Sequence, residues 1–228
     1  MIKNIFIDLD DTILDFHRAE KTALSATLES LGVEPSEKIL KRYSEINREC
    51  WQRLETGEYT RYEVLHRRFD FLFSELGINI ESERAQSEYE YRLSLEHPFM
   101  EGGRELLDAL YSKYRLYLAS NGTAVVQDRR IHDSDLEKYF DDIFISQRVG
   151  YDKPAREFFD YAFRKIDGFK KEETIILGDS LTSDIKGGIN AGITTCYFNP
   201  NHRKNDTGIH PNYEIDKLSD FLRVLGEV

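Results

Sequence analysis

The chain changes its hydrophobic period several times. Asn4–Asp10 (NIFIDLD) is a short apolar run rich in Ile and Phe, which predicts a buried strand. Comparable runs at Arg115–Ala119, Ile143–Ser146, Thr174–Leu177 and Thr194–Phe198 predict four more. Between them, helical spacing of apolar residues covers about Gly103–Tyr114, Ala124–Ser134, Ala155–Ile166 and Asp184–Ala191. Strands alternating with helices of this length predict βαβ units and a mainly parallel α/β sheet.

One stretch breaks the alternation. Residues 16–97 hold no strand pattern, only charged amphipathic segments whose predicted helices run near Ala19–Leu31, Ser36–Leu54, Arg61–Leu76 and Ser82–Leu95. Thr60 and Glu63 form a capping box ahead of the third, and Gly77 stops it. Pro98 disfavours helix at His97 and makes a return hinge. The expected organisation is a parallel-sheet core of residues 1–15 and 98–228, with an all-helical insert at 16–97 forming a small separate domain.

Composition narrows the function classes. Lys and Arg number 31 against 42 Asp and Glu, a net charge of −11, so no basic face for a nucleic-acid polymer is expected. Fourteen Phe and thirteen Tyr argue against disorder. The apolar runs fall far short of the roughly 20 residues of a membrane span, and the start MIKNIFIDLDD lacks a signal-peptide layout. Cys50 and Cys196 are too few for a disulfide framework and lack zinc-ligand spacing, so a cytoplasmic setting is expected. Oligomeric state is not legible.

Candidate chemistry begins where the first strand ends. Asp8 and Asp10 lie two apart, which on a strand puts them on one side, at the carboxyl end where α/β sheets bind ligands. Carboxylates so close repel, and either a bound cation or a raised pKa on one partner answers that. In the second case an ionised Asp8 can attack while a protonated Asp10 donates a proton. The plainer reading is an acidic loop or a helix start.

Three further motifs fall close to strand ends. Ser120-Asn121-Gly122 offers a hydroxyl and amides suited to phosphate oxygens, or is simply a turn. Lys153 precedes Pro154 and a helix, and can neutralise a phosphate or sit as a solvated surface charge. In GDSLTSDI, Asp179 ends the fourth strand and can share a hard cation with Asp8, while Asp184 can favour the start of its helix.

In this order and on these elements, the four motifs resemble those of the haloacid dehalogenase superfamily of phosphohydrolases. The resemblance implies a Rossmann-like parallel-sheet core with an inserted helical cap, Mg²⁺ and an aspartyl-phosphate intermediate. It implies Asp8 as nucleophile, Asp10 as general acid and then base, and Thr12 as an orienting hydroxyl. Asp8, the Asp10 carbonyl and Asp179 would hold the metal, supported by Asp184. Ser120, the amide of Asn121 and Lys153 would hold the phosphoryl group.

DLDDTILDF, GEYTRYEV, GDSLTSDIKGG, AGITTCYFNP and PNYEIDKL are similar to the pyrimidine 5′-nucleotidase group within it. That similarity implies nucleoside monophosphates as substrates, pyrimidines ahead of purines. A sugar phosphate or phosphoglycolate is the alternative substrate. Trp51, Tyr59, Arg61 and Tyr62 are candidates for base or sugar contact, although an aromatic on a helix is more often packing.

Two other classes compete. Gly178-Asp179-Ser180-Leu181 spells a serine-esterase signature, but it stands late in the chain, and Asp206 and His210 are spaced one residue too far for that family's closing motif. A catalytically silent binding protein would be expected to have lost Asp8 or Asp10, and both are present.

Overall fold

In the computed structural model, which describes residues 1–227, six strands form one sheet. They are β1 (Asn4–Ile7), β2 (Arg115–Ser120), β3 (Asp142–Ile145), β4 (Thr174–Gly178), β5 (Thr194–Phe198) and β6 (Tyr213–Ile215). The order is β3-β2-β1-β4-β5-β6, and every pairing is parallel. β1 is central, with Asn4 in register with Arg115 on one side and Thr174 on the other. This is the parallel α/β sheet expected from the alternating pattern, with the Rossmann-like form that the family resemblance implied.

The chain divides into two compact units, Phe16–Pro98 and Met1–Asp15 with the chain from Phe99 onward. Pro98, assigned to the core from the sequence, falls with the helical unit. That unit contains α1 (Phe16–Ser30), α2 (Glu37–Glu55), α3 (Arg61–Leu76) and α4 (Ser82–Leu93). The sheet unit contains α5 (Gly103–Leu110), α6 (Ala124–Asp133), α7 (Ser146–Val149), α8 (Arg156–Phe163), α9 (Lys186–Ala191) and α10 (Phe221–Val224).

Both faces of the sheet are covered, as a parallel sheet requires. Successive residues of β1 point to opposite faces. Ile5 and Ile7 join Leu107 and Leu110 of α5, Ile131 of α6 and Phe221 of α10. Phe6 joins Tyr117, Phe144 and the α8 residues Phe158, Phe159 and Phe163. The Phe6 ring lies 5.2 Å from Tyr117 and 5.8 Å from Phe163, within the range where aromatic pairs attract.

The helical unit has its own interior. Tyr43, Phe69 and Tyr89, from α2, α3 and α4, meet with ring centroids 5.0 to 5.7 Å apart. Beside them one polar group from each helix is buried: Glu20, Asn47, Arg68 and Gln86. Asn47 donates to Glu20 at 2.7 Å, and Arg68 donates to Asn47 at 2.8 Å and to Gln86 at 2.7 Å. The expected capping box forms: Thr60 Oγ1 accepts the Glu63 amide, and Glu63 accepts the Thr60 amide. Gly77 ends α3 at φ 65°, a conformation that favours glycine.

Four expectations need correcting. The first strand stops at Ile7 rather than Asp10, so strand alternation does not govern where Asp10 points. α9 begins at Lys186, after a π-helical turn at Leu181–Ile185 that contains Asp184. α8 runs Arg156–Phe163, ending three residues short of the predicted Ile166. β6 has no counterpart in the predicted strands: only three residues long, it buries just Ile215, too little to leave a hydrophobic period.

Candidate active site

The parallel topology points the carboxyl ends of β1, β2 and β4 the same way. Asp8 follows β1, with its amide donating to the Leu177 carbonyl of β4 at 2.9 Å. Ser120 is the last residue of β2, and Asp179 follows β4. Lys153 arrives from the loop before α8. Three adjacent strands and one loop thus bring together residues up to 171 positions apart in the sequence.

At the centre is Lys153, 1% exposed and so no solvated surface charge. Its Nζ donates to Asp8 Oδ1 at 2.6 Å, to Asp184 Oδ1 at 2.7 Å and to the Ala119 carbonyl. Asn121 fixes the lysine's backbone from both sides. Its Nδ2 donates to the Lys153 carbonyl at 2.7 Å, and its Oδ1 accepts the Lys153 amide at 2.8 Å. The Asn121 side chain is therefore spent on holding the lysine loop. Thr12 Oγ1 donates to Asp8 Oδ2 at 3.3 Å.

Asp184 is buried in the π-helical turn, and the first-turn dipole does not explain it. One oxygen accepts from Lys153 and the other accepts the Ser180 amide at 3.1 Å. A Cβ on Gly178 would come within 2.3 Å of the Asp184 carboxylate, so this acid packs against bare backbone at the end of β4. Ser180 Oγ accepts the Ser183 amide at 3.1 Å and caps the turn.

Asp10 faces a different set of partners. Its Oδ1 accepts from Arg130 Nη1 at 2.5 Å and its Oδ2 from Gln127 Nε2 at 2.6 Å. Gln127 Nε2 also donates to Ser120 Oγ at 2.8 Å. Neither α6 residue is singled out by motif reasoning, because a glutamine and an arginine in a helix read as solvent-facing. A helical wheel carries the missing signal: with Val126 and Ile131 they form the buried face of α6.

The electrostatics are unbalanced toward negative charge. Carboxylate oxygens of Asp8, Asp179 and Asp184 lie within 4.8 Å of one another, against a single buried ammonium. Burial, with Asp184 and Asp10 nearby, pushes the Asp8 carboxyl up to about 8 despite Lys153. Burial and the charges of Asp11, Asp8 and Asp184 push Asp179 well above the usual carboxylate range. Burial disfavours the Lys153 ammonium, but Asp184 and Asp8 outweigh it and raise the lysine above its ordinary value. A cation among these oxygens would relieve the repulsion and return both acids to the charged form.

The donor set suits a hard, oxygen-preferring ion. Asp8 and Asp179 could each offer it a carboxylate oxygen. The fit is poorer for Asp184, whose two oxygens are taken by Lys153 and Ser180, and for the Asp10 side chain, taken by Arg130 and Gln127.

Comparison with known proteins follows the same lines. A family model described as haloacid dehalogenase-like hydrolase matches residues 2–192. HAD-hydrolase YfnB of Bacillus subtilis is 40% identical over 98% of this chain and 95% of its own length. The pyrimidine 5′-nucleotidase PynA of Streptococcus pneumoniae is 37% identical over 98% of this chain and 94% of its own. A crystal structure of YfnB, reported as bound to magnesium and revealing interdomain movement, superposes with a TM-score of 0.94 and covers 98% of both chains.

Proposed function

The chain belongs to the haloacid dehalogenase-like hydrolases, and on that premise we propose that it is a Mg²⁺-dependent phosphatase of nucleoside 5′-monophosphates, pyrimidines preferred. The observation that carries the chemistry is the buried Lys153 ammonium between Asp8 and Asp184, with Asp179 in reach of the same oxygens. The substrate class rests on the 37% identity to a pyrimidine 5′-nucleotidase. A cytoplasmic setting fits two buried, free cysteines, Cys50 and Cys196. No helix among the described residues is long and apolar enough to cross a membrane.

In this mechanism the Ser120 hydroxyl and the Asn121 backbone amide receive the phosphoryl oxygens, and Lys153 offsets their charge. An Asp8 carboxylate oxygen attacks phosphorus while Asp10 gives its proton to the leaving ester oxygen. The nucleoside departs as an alcohol, and the phosphoryl group remains on Asp8 as a mixed anhydride. Asp10, now a base, takes a proton from the water that attacks that phosphorus. Phosphate leaves and Asp8 is restored. Asp8, Asp179 and the Asp10 carbonyl would hold Mg²⁺, which would supply charge stabilisation for the phosphoryl oxygens. The helical unit takes the part of the family's cap.

Phosphate release from a panel of nucleoside monophosphates, sugar phosphates and phosphoglycolate, with Mg²⁺ and with EDTA, tests this reading. Pyrimidine nucleotides should be hydrolysed fastest, and only with the metal. Faster turnover of sugar phosphates would retire the substrate and keep the chemistry. Metal-independent turnover would retire the chemistry.

A further inference from the structure

One helix face outside the sequence motifs reaches the reacting groups. Gln127 and Arg130, three residues apart on α6, are 2% and 0% exposed. Arg130 Nη1 donates to Gln127 Oε1 at 2.8 Å as well as to Asp10. A guanidinium only donates, so the glutamine must turn its oxygen toward Arg130. Its NH₂ group then faces the other way and supplies both remaining bonds, to Asp10 Oδ2 and Ser120 Oγ. Since Ser120 Oγ accepts from the amide, its own O–H is left to donate elsewhere. The loop packs directly on this group: a Cβ on Gly122 would lie 2.4 Å from the Gln127 amide nitrogen.

We infer that Gln127 is a positioning residue that holds the carboxylate of Asp10 and the hydroxyl of Ser120 in reacting orientation through one amide, whose sense Arg130 sets. The inference rests on the roles proposed above for Asp10 and Ser120. It adds a link between them: the group that handles the proton and the group that holds the phosphate share a single donor. Misplacing such groups by about 1 Å costs on the order of 10²-fold in rate.

The test is Gln127→Met, which keeps the length and removes both donors, measured with Mg²⁺ on a nucleoside 5′-monophosphate and on p-nitrophenyl phosphate. With Asp10 held by Arg130 alone and Ser120 released, kcat/KM for the nucleotide should fall by about 10- to 100-fold. The fall for p-nitrophenyl phosphate should be several-fold smaller, because its leaving group needs little protonation. A burst of p-nitrophenolate should also appear as hydrolysis of phosphorylated Asp8 becomes slow. Inorganic phosphate should inhibit less strongly once Ser120 loses its orientation. If Gln127→Met does not fold, Gln127→Asn, whose amide falls one methylene short, should show the same discrimination between leaving groups. Equal losses on both substrates without a burst, or no loss in a folded variant, would overturn the inference. A wild-type protein that releases phosphate from neither substrate would overturn the phosphatase reading itself, and this inference with it.

Discussion

Lys153 Nζ lies 2.6 Å from Asp8 Oδ1, in a site where both residues are removed from water. That pair organises the electrostatics around it, because the same ammonium also faces Asp184 at 2.7 Å. Removing one member of such a group strands the others.

Above about pH 8, where Asp8 is ionised, replacing Lys153 by Met should therefore destabilise the metal-free protein by about 3–5 kcal/mol, since two carboxylates lose their buried counter-charge. Added Mg²⁺ should recover part of the loss, by binding the folded form through the same acids. Urea unfolding with and without the ion measures both effects. Unchanged stability would mean that the ammonium is not the counter-charge the geometry implies.

Asp8 makes a pH-dependent contribution of opposite sense. Its carboxyl is raised from 3.8 to about 8 by burial, so between those values the folded chain holds a proton that the unfolded chain has released. Stability from this group is thus lost as pH rises from about 4 to about 8. Asp8→Asn removes the penalty and should also abolish turnover. In EDTA, the variant's thermal midpoint should gain on wild type steadily between pH 5 and pH 8. A constant gap would contradict the assignment.

Asp10→Asn should separate the two half-reactions. Loss of proton transfer should cost about 10²–10⁴ in rate on a nucleotide. Phosphorylation by p-nitrophenyl phosphate should suffer less, so phosphorylated Asp8 should accumulate. Rapid-quench detection of phosphoprotein checks this, and its absence would deny Asp10 the role of base in the second step.

Ser180→Ala should keep most activity and cost about 1 kcal/mol, the loss of a cap bond to Ser183. If this variant were dead while Asp8→Asn remained active, serine chemistry would replace carboxylate chemistry.

Much of the fold was legible because local period survives burial. Five of the six strands lie in apolar runs, and α1 to α4 leave amphipathic stripes with caps that can be read directly, such as Thr60–Glu63 and Gly77. β6 was not legible: its existence depends on pairing Tyr213–Ile215 with Cys196–Phe198, across a loop whose residues carry no strand period.

The acidic pairs, the Ser-Asn-Gly loop and Lys153 were visible as residue types at strand ends. The chain alone determined that these groups exist and which elements carry them, because periodicity and motif spacing are properties of neighbours in sequence. Only the tertiary structure decided their partners. Asp184 was legible as a helix-start acid, yet its carboxylate meets a lysine 31 positions away. Gln127 and Arg130 look like ordinary helix polars until Asp10, 117 and 120 positions away from them, comes to meet both. Hydrogen bonds and buried charge depend on distance in space, and the parallel stacking of β2, β1 and β4 sets that distance.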